Sequence, residues 1–281
     1  MRQVQNPRLQ PPATLAAPAD LFIALDIDGT IVDYDGRLLP VVRRGIDAAC
    51  RRGATVILAT GRGISGVLPI AKQLGLTSGY AVCSNGAVVI ELNGADHYEI
   101  TDVVTFDPSH ILRELREAVP GALFLVDDHT GMHHTTAPFP PGELPAGVPE
   151  VSFERACSFA ATRVTLRAPE LSAGELHRLV ATTGLHNVSY SVGWTAWMDI
   201  SPKGVSKASA LEMIRTRLDL PAHGTVAVGD GTNDMEMLRW AHWSVAMGQA
   251  MDDVIATADA VTTSIDEAGL AFVLQALLKG R

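Results

Sequence analysis

Cysteine is scarce in this chain: Cys50, Cys83 and Cys157 lie far apart, and none shares C-x-x-C spacing with another. So sparse and odd a set excludes a disulfide framework and points to a reducing compartment, a cytoplasmic one by expectation. Cys50 and Cys83 stand in apolar contexts that suit buried thiols. A basic stretch is also missing. With a formal net charge of −9, nucleic acid is not an expected partner. The global sign still permits a phosphorylated small molecule, because one local cationic pocket can oppose it. No apolar run approaches the length of a bilayer span, so no membrane partner is expected either. Residues 1–19 contain Pro11, Pro12 and Pro18 among several alanines but no continuous apolar core. They read as a disordered tail, not a signal peptide. There is no internal repeat.

What the chain does have is apolar strands with polar tips. Its 281 residues and 47% hydrophobic content suffice for two domains, or for one core with a large insertion. The run Leu21-Phe22-Ile23-Ala24-Leu25 reads as a strand buried on both faces of a parallel sheet, and it ends in Asp26-Ile27-Asp28-Gly29-Thr30. Thr225 to Val228 ends in Gly229-Asp230-Gly231-Thr232-Asn233-Asp234. Ala54 to Ala59 ends in Thr60-Gly61-Arg62, Gly79 to Cys83 in Ser84-Asn85-Gly86, and Ser244 to Met247 at Gly248; Ala260 to Thr263 adds a further strand. Helical patterns lie between them at Val41–Arg52, Ser65–Leu74, Ser206–Leu218, Asp234–Ala241 and Glu267–Leu278. Alternating strand and helix predicts a doubly wound parallel sheet. From about Ala87 to Ser191 the pattern changes to alternating strands such as Ala87–Leu92 and Arg163–Leu166. Two helices, near Ser109–Val119 and Ala173–Thr183, and a Pro/Gly-rich loop from Ala137 to Pro149 complete it. The expected organisation is a tail over 1–19, an α/β core over 20–86 and 190–281, and an α+β insert over 87–189. Asn85-Gly86 and Tyr190 to Trp194 would be the hinges, with Trp194 and Trp197 packing in a core.

Carboxylates at the carboxyl ends of parallel strands stand where α/β sheets bind ligands. Asp26 is placed to attack phosphorus, and Asp28, two residues on, to protonate the leaving oxygen and then activate water. The plain alternative is a strand-end turn with Asx hydrogen bonds; Gly29 allows the tight turn and Thr30 can cap the next segment. Asp230 could complete a Mg²⁺ site with Asp26, with Asp234 holding a coordinated water, because Mg²⁺ takes hard oxygen ligands. Asn233 can cap the following helix together with Glu236, or serve the site, or both. Thr60 offers a hydroxyl, Gly61 a backbone donor and Arg62 a cation to a phosphoryl oxygen; alone these amount to a common strand-Thr-Gly turn. Lys203 and Lys207 precede apolar positions at helical spacing. Lys207 falls in a first turn, where the helix dipole disfavours a cation, and is better explained by a neighbouring carboxylate or anion. Asp127, Asp128, His129, His133 and His134 cluster in the insert. They read as a polar surface loop, as a transition-metal set, or as readers of substrate hydroxyls.

These motifs, in this order, resemble the haloacid dehalogenase (HAD) superfamily: D-x-D-G-T its first motif, Thr60 its second, Lys207 its third and Gly229 to Asp234 its fourth. The insert is similar to the C2-type cap of the Cof-like subclass IIB. The resemblance covers roughly Asp20 to Gly86 and Tyr190 to Leu278, and it implies a Rossmann-like core with an inserted α+β cap. It further implies that Asp26 is nucleophile and Mg²⁺ ligand, and that Asp28 is general acid/base and metal ligand through its backbone carbonyl. Thr60 and Lys207 would bind the phosphoryl group, as would Asn233, while Asp230 and Asp234 would hold or support the metal. Asp127, His129, His133 and His134 are the expected cap residues for substrate choice.

The expected function is a Mg²⁺-dependent phosphatase of small phosphorylated metabolites, sugar phosphates first, acting as a monomer or homodimer with a cap that excludes water. A phosphomannomutase-like mutase is the alternative, but it should carry several convergent cap cations. The insert offers Arg113, Arg116, Arg155, Arg163, Arg167 and Arg178, several on solvated helix faces. A non-catalytic phosphosugar-binding protein would not need intact acidic motifs.

Overall fold

The computed structural model describes residues 9–94, 96–144, 146–181, 188–192 and 196–279. In chain order the first elements are β1 (Phe22–Leu25), α1 (Pro40–Arg51), β2 (Thr55–Ala59), α2 (Ile64–Leu74), β3 (Ser78–Cys83), β4 (Val88–Asn93) and β5 (Tyr98–Val103). Then come α3 (Ser109–Ala118), β6 (Leu123–Asp128), β7 (His133–Thr135), α4 (Phe153–Ala156), β8 (Ala161–Arg167), α5 (Ala173–Val180), β9 (Val188–Val192) and β10 (Trp197–Pro202). The chain closes with α6 (Lys207–Arg217), β11 (Thr225–Gly229), α7 (Met235–Trp240), β12 (Trp243–Ala246), α8 (Asp252–Ile255), β13 (Ala260–Val261) and α9 (Gly269–Leu278). The chain divides into two units, one running to Thr101 and resuming at Ser206, the other from Asp102 to Val205.

The first unit holds an eight-stranded sheet in the order β13-β12-β11-β1-β2-β3-β4-β5. Strands β13 to β3 are mutually parallel, and β4 pairs antiparallel with β3. Alternation along β1 divides its side chains between two layers. Ile23 and Leu25 pack with α1, α2 and α9; Phe22 and Ala24 pack with α6, α7 and α8. All four are fully buried, and each large one contributes about 1.5–3 kcal/mol through burial. The chain winds one way from β1 to β3 and the other way from β11 to β13. The order therefore reverses between β1 and β11, the crevice where such sheets bind ligands. Leu25 stands level with Val228 on one side and Leu58 on the other, so the three following polar tips leave the sheet together.

The second unit is a five-stranded sheet in the order β7-β6-β8-β10-β9. Phe124, Val126, Val164, Leu166, Met198 and Ile200 pack against α3 and α5 in its own apolar core. A capping box between Ser172 and Glu175 starts α5.

Three expectations need correction. The insert does not begin at 87: β4 continues the first sheet through a hairpin with β3, and β5 follows it. Alternation marked Ala87–Leu92 as an antiparallel strand, but periodicity does not say which sheet a strand joins. At the other end Tyr190 lies inside β9 of the second sheet, so the second boundary falls near Ser206 and not at 190. Residues 9–19, assigned to the tail, are ordered: Leu15 and Ala16 are buried in the core, and the Ala16 amide donates to the His223 carbonyl. Trp194 lies outside the described residues. Trp197 is half-buried, edge-on to Phe139, and donates its indole N–H to Asp199. Cys50, Cys83 and Cys157 are all free thiols, the last two buried and Cys50 half-buried.

Candidate active site

The reversal of strand order brings the acidic tips of β1 and β11 together. The Asp26 amide donates to the Val228 carbonyl, which carries the β1–β11 ladder one residue beyond the strand. Helix α6 begins behind these tips, with Ser206 capping it through the Ser209 amide. Lys207 is thereby its first residue, wholly buried, and its Nζ donates to Asp26 Oδ1 and Asp234 Oδ1, each at 2.6 Å. Burial works against this charge, but the Asp234 and Asp26 carboxylates outweigh it and hold the lysine pKa above its ordinary value. The two carboxylates therefore override the unfavourable helix dipole. Asp26 has its pKa pushed well up, first by burial and then by Asp234, with Lys207 opposing. Asp230 is pushed up to about 6, by burial above all, with Asp234 adding to the rise and bonds from Tyr34 and Gln249 opposing it.

Asp234 also accepts, through Oδ2, from the amides of Asp230 (3.0 Å) and Gly231 (2.9 Å). It is thus Asp234, not Asn233, that closes the loop before α7. Asn233 instead donates its side-chain amide to Asn85 Oδ1 at 3.0 Å. Gly29 adopts φ +77°, and a Cβ there would lie 2.2 Å from Asp230 Oδ2, so the D-x-D-G-T turn and the β11 loop meet without room for a side chain.

One oxygen each of Asp26, Asp230 and Asp234 lies within 4.8 Å of the others, the only such group of three His, Cys, Asp or Glu residues among the described residues. All are hard oxygen donors and all are buried. With Asp28 they make four carboxylates against the two cations Lys207 and Arg62, an excess of two negative charges that one divalent cation would balance. The donor set therefore fits Mg²⁺.

Asp28 has a partner that the sequence did not announce. Arg62 Nε donates to Asp28 Oδ2 (2.8 Å) and Nη2 to Oδ1 (2.5 Å), a two-point fork, and Nη1 reaches the Gly66 carbonyl. Arg62 is thus held against the second carboxylate rather than presented to a phosphoryl oxygen. Thr60 is buried, and its hydroxyl accepts from the Arg62 amide at 3.1 Å, which directs its own hydrogen elsewhere. A Cβ on the neighbouring Gly61 would press on the Asn85 amide. The Thr30 hydroxyl is buried with no partner among the described residues.

The haloacid dehalogenase-like hydrolase model matches residues 23–137 and 156–274. The chain belongs to this family of hydrolases. Among its curated relatives, the phosphatase YwpJ of Bacillus subtilis is 27% identical, over 92% of this chain and 99% of its own. The pyridoxal phosphate phosphatase YbhA of Escherichia coli is 28% identical, over 85% of this chain and 92% of its own. The solved structure of the HAD subclass IIB sugar phosphatase BT4131 shares the fold with a TM-score of 0.77 at 23% identity, covering 91% of this chain and 98% of that one. Family and relatives make the chain a phosphoric monoester hydrolase.

Elsewhere in this HAD-like hydrolase, the Asp/His cluster of the insert is not a surface loop. Asp127 and Asp128 end β6 and are buried. Asp127 takes His133 Nδ1 at 2.6 Å and Arg163 Nη2 at 2.8 Å; Arg163, after the cost of burial, leads in keeping its pKa below the ordinary value. Asp128 takes the Thr130 hydroxyl and His134 Nε2, which outweigh its burial and bring its pKa down to about 2. His134 stacks on Phe159, and His129 is exposed. A strand separates these two sets onto opposite faces, so among the described residues no three ligands converge here for a transition metal.

Three residues of the hydrolase's site were missed by sequence reasoning. Asn85 sits at the tip of β3 with φ +54°; its segment has the strand-then-polar-tip pattern, but in the sequence it reads as a hinge and not a site residue. Tyr34 and Gln249 touch Asp230 from positions that carry no motif.

Proposed function

We propose that this hydrolase is a Mg²⁺-dependent phosphatase of small phosphorylated metabolites, sugar phosphates first among them, working through an aspartyl-phosphate on Asp26. The observation that carries the reading is the buried Asp26 carboxylate, held by Lys207 at 2.6 Å beside the Asp230–Asp234 pair, with a second carboxylate two residues on. Asp26 attacks phosphorus as the ester P–O bond breaks, and Asp28 gives its proton to the leaving oxygen. Asp28 then takes a proton from water, which attacks phosphorus and breaks the Asp26–phosphoryl bond, releasing phosphate. The Thr60 hydroxyl, the Gly61 backbone, Lys207 and the Asn233 amide hold the phosphoryl oxygens. Asp26, Asp230, Asp234 and the Asp28 backbone carbonyl would hold Mg²⁺, which would offset the charge of phosphate and carboxylates.

The names of relatives support the substrate class: YbhA is named for pyridoxal phosphate, and BT4131 as a sugar phosphatase. The mutase alternative loses support because four of the insert's six arginines are engaged within their own unit. Arg163 pairs with Asp127 and Arg167 with Glu143, while Arg116 and Arg155 lie over the Phe153 and Phe159 rings. A cytoplasmic location belongs to the same proposal and rests on the three free thiols. Among the described residues, no helix is long and apolar enough to cross a membrane. Phosphate release across a panel of sugar phosphates, nucleotides and cofactor phosphates tests the reading; release from none of them would overturn it.

Arg62 supplies a sharper test. If it orients Asp28, Arg62→Ala should lower kcat by about 10²-fold while KM stays within a few-fold. A rise confined to KM in steady-state kinetics would return Arg62 to phosphate binding.

The crowded carboxylates also give metal binding a pH signature. Asp230 has an ordinary value of 3.8 and a folded value near 6, so between these pH values the folded chain binds more protons than the unfolded one. Its stability contribution is present below about 3.8 and is lost as pH rises through about 6; the raised Asp26 acts in the same direction. Mg²⁺ replaces those protons. Saturating Mg²⁺ should therefore raise the melting temperature by about 5 °C or more at roughly pH 7.5, and by clearly less at about pH 5. Equal increments at both pH values in a thermal-shift series would contradict this.

A further inference from the structure

We propose that Tyr34 and Gln249 are positioning residues which clamp one oxygen of Asp230 and thereby set the affinity of the divalent-cation site. The inference rests on the metal-dependent reading above.

Both residues act on the same atom. The Tyr34 hydroxyl donates to Asp230 Oδ2 at 2.7 Å, and the Gln249 side-chain amide reaches it at 3.3 Å. With Oδ2 taken by two donors, the carboxylate is held in one orientation, and Oδ1 is the oxygen left to a cation. Gln249 is itself pinned at both ends. Its amide donates to the Gly29 carbonyl at 2.6 Å, and its Oε1 accepts from the Ile265 amide at 3.0 Å. One side chain thus ties the turn after β1 to the loop after β11 and to the segment before α9. These are the two loops that carry Asp26 and Asp230, and Gly29 already lets them approach to contact. Tyr34 comes from the solvent side. It is 60% exposed and lines a cavity of about 470 Å³ together with Asp33, Asp35, Arg37, Gln249 and Asp266. A tyrosine so exposed buries little of its ring against the fold, although its hydroxyl turns inward to a carboxylate. Orientation of a metal ligand is a larger return, because outer partners of ligating groups typically change metal affinity by about 10–100-fold.

The test is calorimetric titration of Mg²⁺ into the metal-free wild type and the Tyr34→Phe variant, with Mn²⁺ titration followed by electron paramagnetic resonance as a second probe. Metal-free melting curves of both proteins control for folding. Tyr34→Phe should weaken the Kd by about 10-fold or more, with a metal-free melting temperature within a few degrees of wild type. Gln249→Met, which keeps the length and removes the amide, should weaken it in the same direction and serves as the independent variant. A wild-type Kd in both variants overturns the clamp while leaving the metal site standing, even if they melt lower. No Mg²⁺ or Mn²⁺ binding by the wild type overturns the metal reading and the clamp with it.

Discussion

Asp26→Asn should abolish turnover, lowering kcat by on the order of 10⁴-fold or more. The amide keeps the shape of the carboxylate, and its oxygen can still accept from Lys207, but it does not form the acyl-phosphate bond. The fold should tolerate the change. Burial first, and Asp234 second, already disfavour the charged form of Asp26, so the metal-free variant should melt at or above the wild-type temperature. Rapid quenching with a labelled substrate would check the chemistry directly, with label retained on wild type and absent from the variant. A variant that turns over at the wild-type rate would remove Asp26 as nucleophile. A variant that fails to fold would mean that the carboxylate is structural, contrary to the electrostatics.

Lys207→Met should have the largest effect on stability. Lys207 is wholly enclosed and bridges two buried carboxylates at 2.6 Å each. Its removal leaves both without their cation, and breaking a buried pair from one side costs about 3–5 kcal/mol. The loss should be greatest near neutral pH, where Asp26 must ionise unaided, and should shrink in acid as it takes up a proton. Urea unfolding at several pH values would measure it. The double variant Lys207→Met, Asp234→Asn should recover part of the loss, because one of the stranded charges is gone. If Lys207→Met is as stable as wild type at neutral pH, the lysine is not the electrostatic keystone of the site. If stability falls but the double variant gives no recovery, packing of the lysine stem is the cause.

Arg62 shows how local pattern and tertiary contact part company. Thr60-Gly61-Arg62 follows a buried strand, so its place at the sheet tip was legible from residue order. The target of the guanidinium was not, because Asp28 lies 34 residues away and meets it only after β1 and β2 pair. The same holds for Asn85, whose bond to Asn233 spans 148 positions. Asp127 and Asp128 were misjudged as a surface loop because a run of polar residues looks solvated until ion pairs bury it. The β4 strand was recognised but given to the wrong unit.

What the sequence by itself determined was the doubly wound core, the second sheet as an insertion, and the strand tips and helix starts that carry Asp26, Asp28, Thr60, Lys207, Asp230 and Asp234. Those features are local: an apolar run of strand length, a polar tip, and helical spacing after it. Only the tertiary structure decided which side chains answer one another: Lys207 between Asp26 and Asp234, Arg62 on Asp28, and Tyr34 with Gln249 on Asp230. The reason is physical. Strand and helix patterns are written in neighbouring residues, whereas hydrogen bonds and ion pairs at a sheet tip depend on strand order and register. These bring together positions as much as 220 residues apart, as between Gln249 and Gly29.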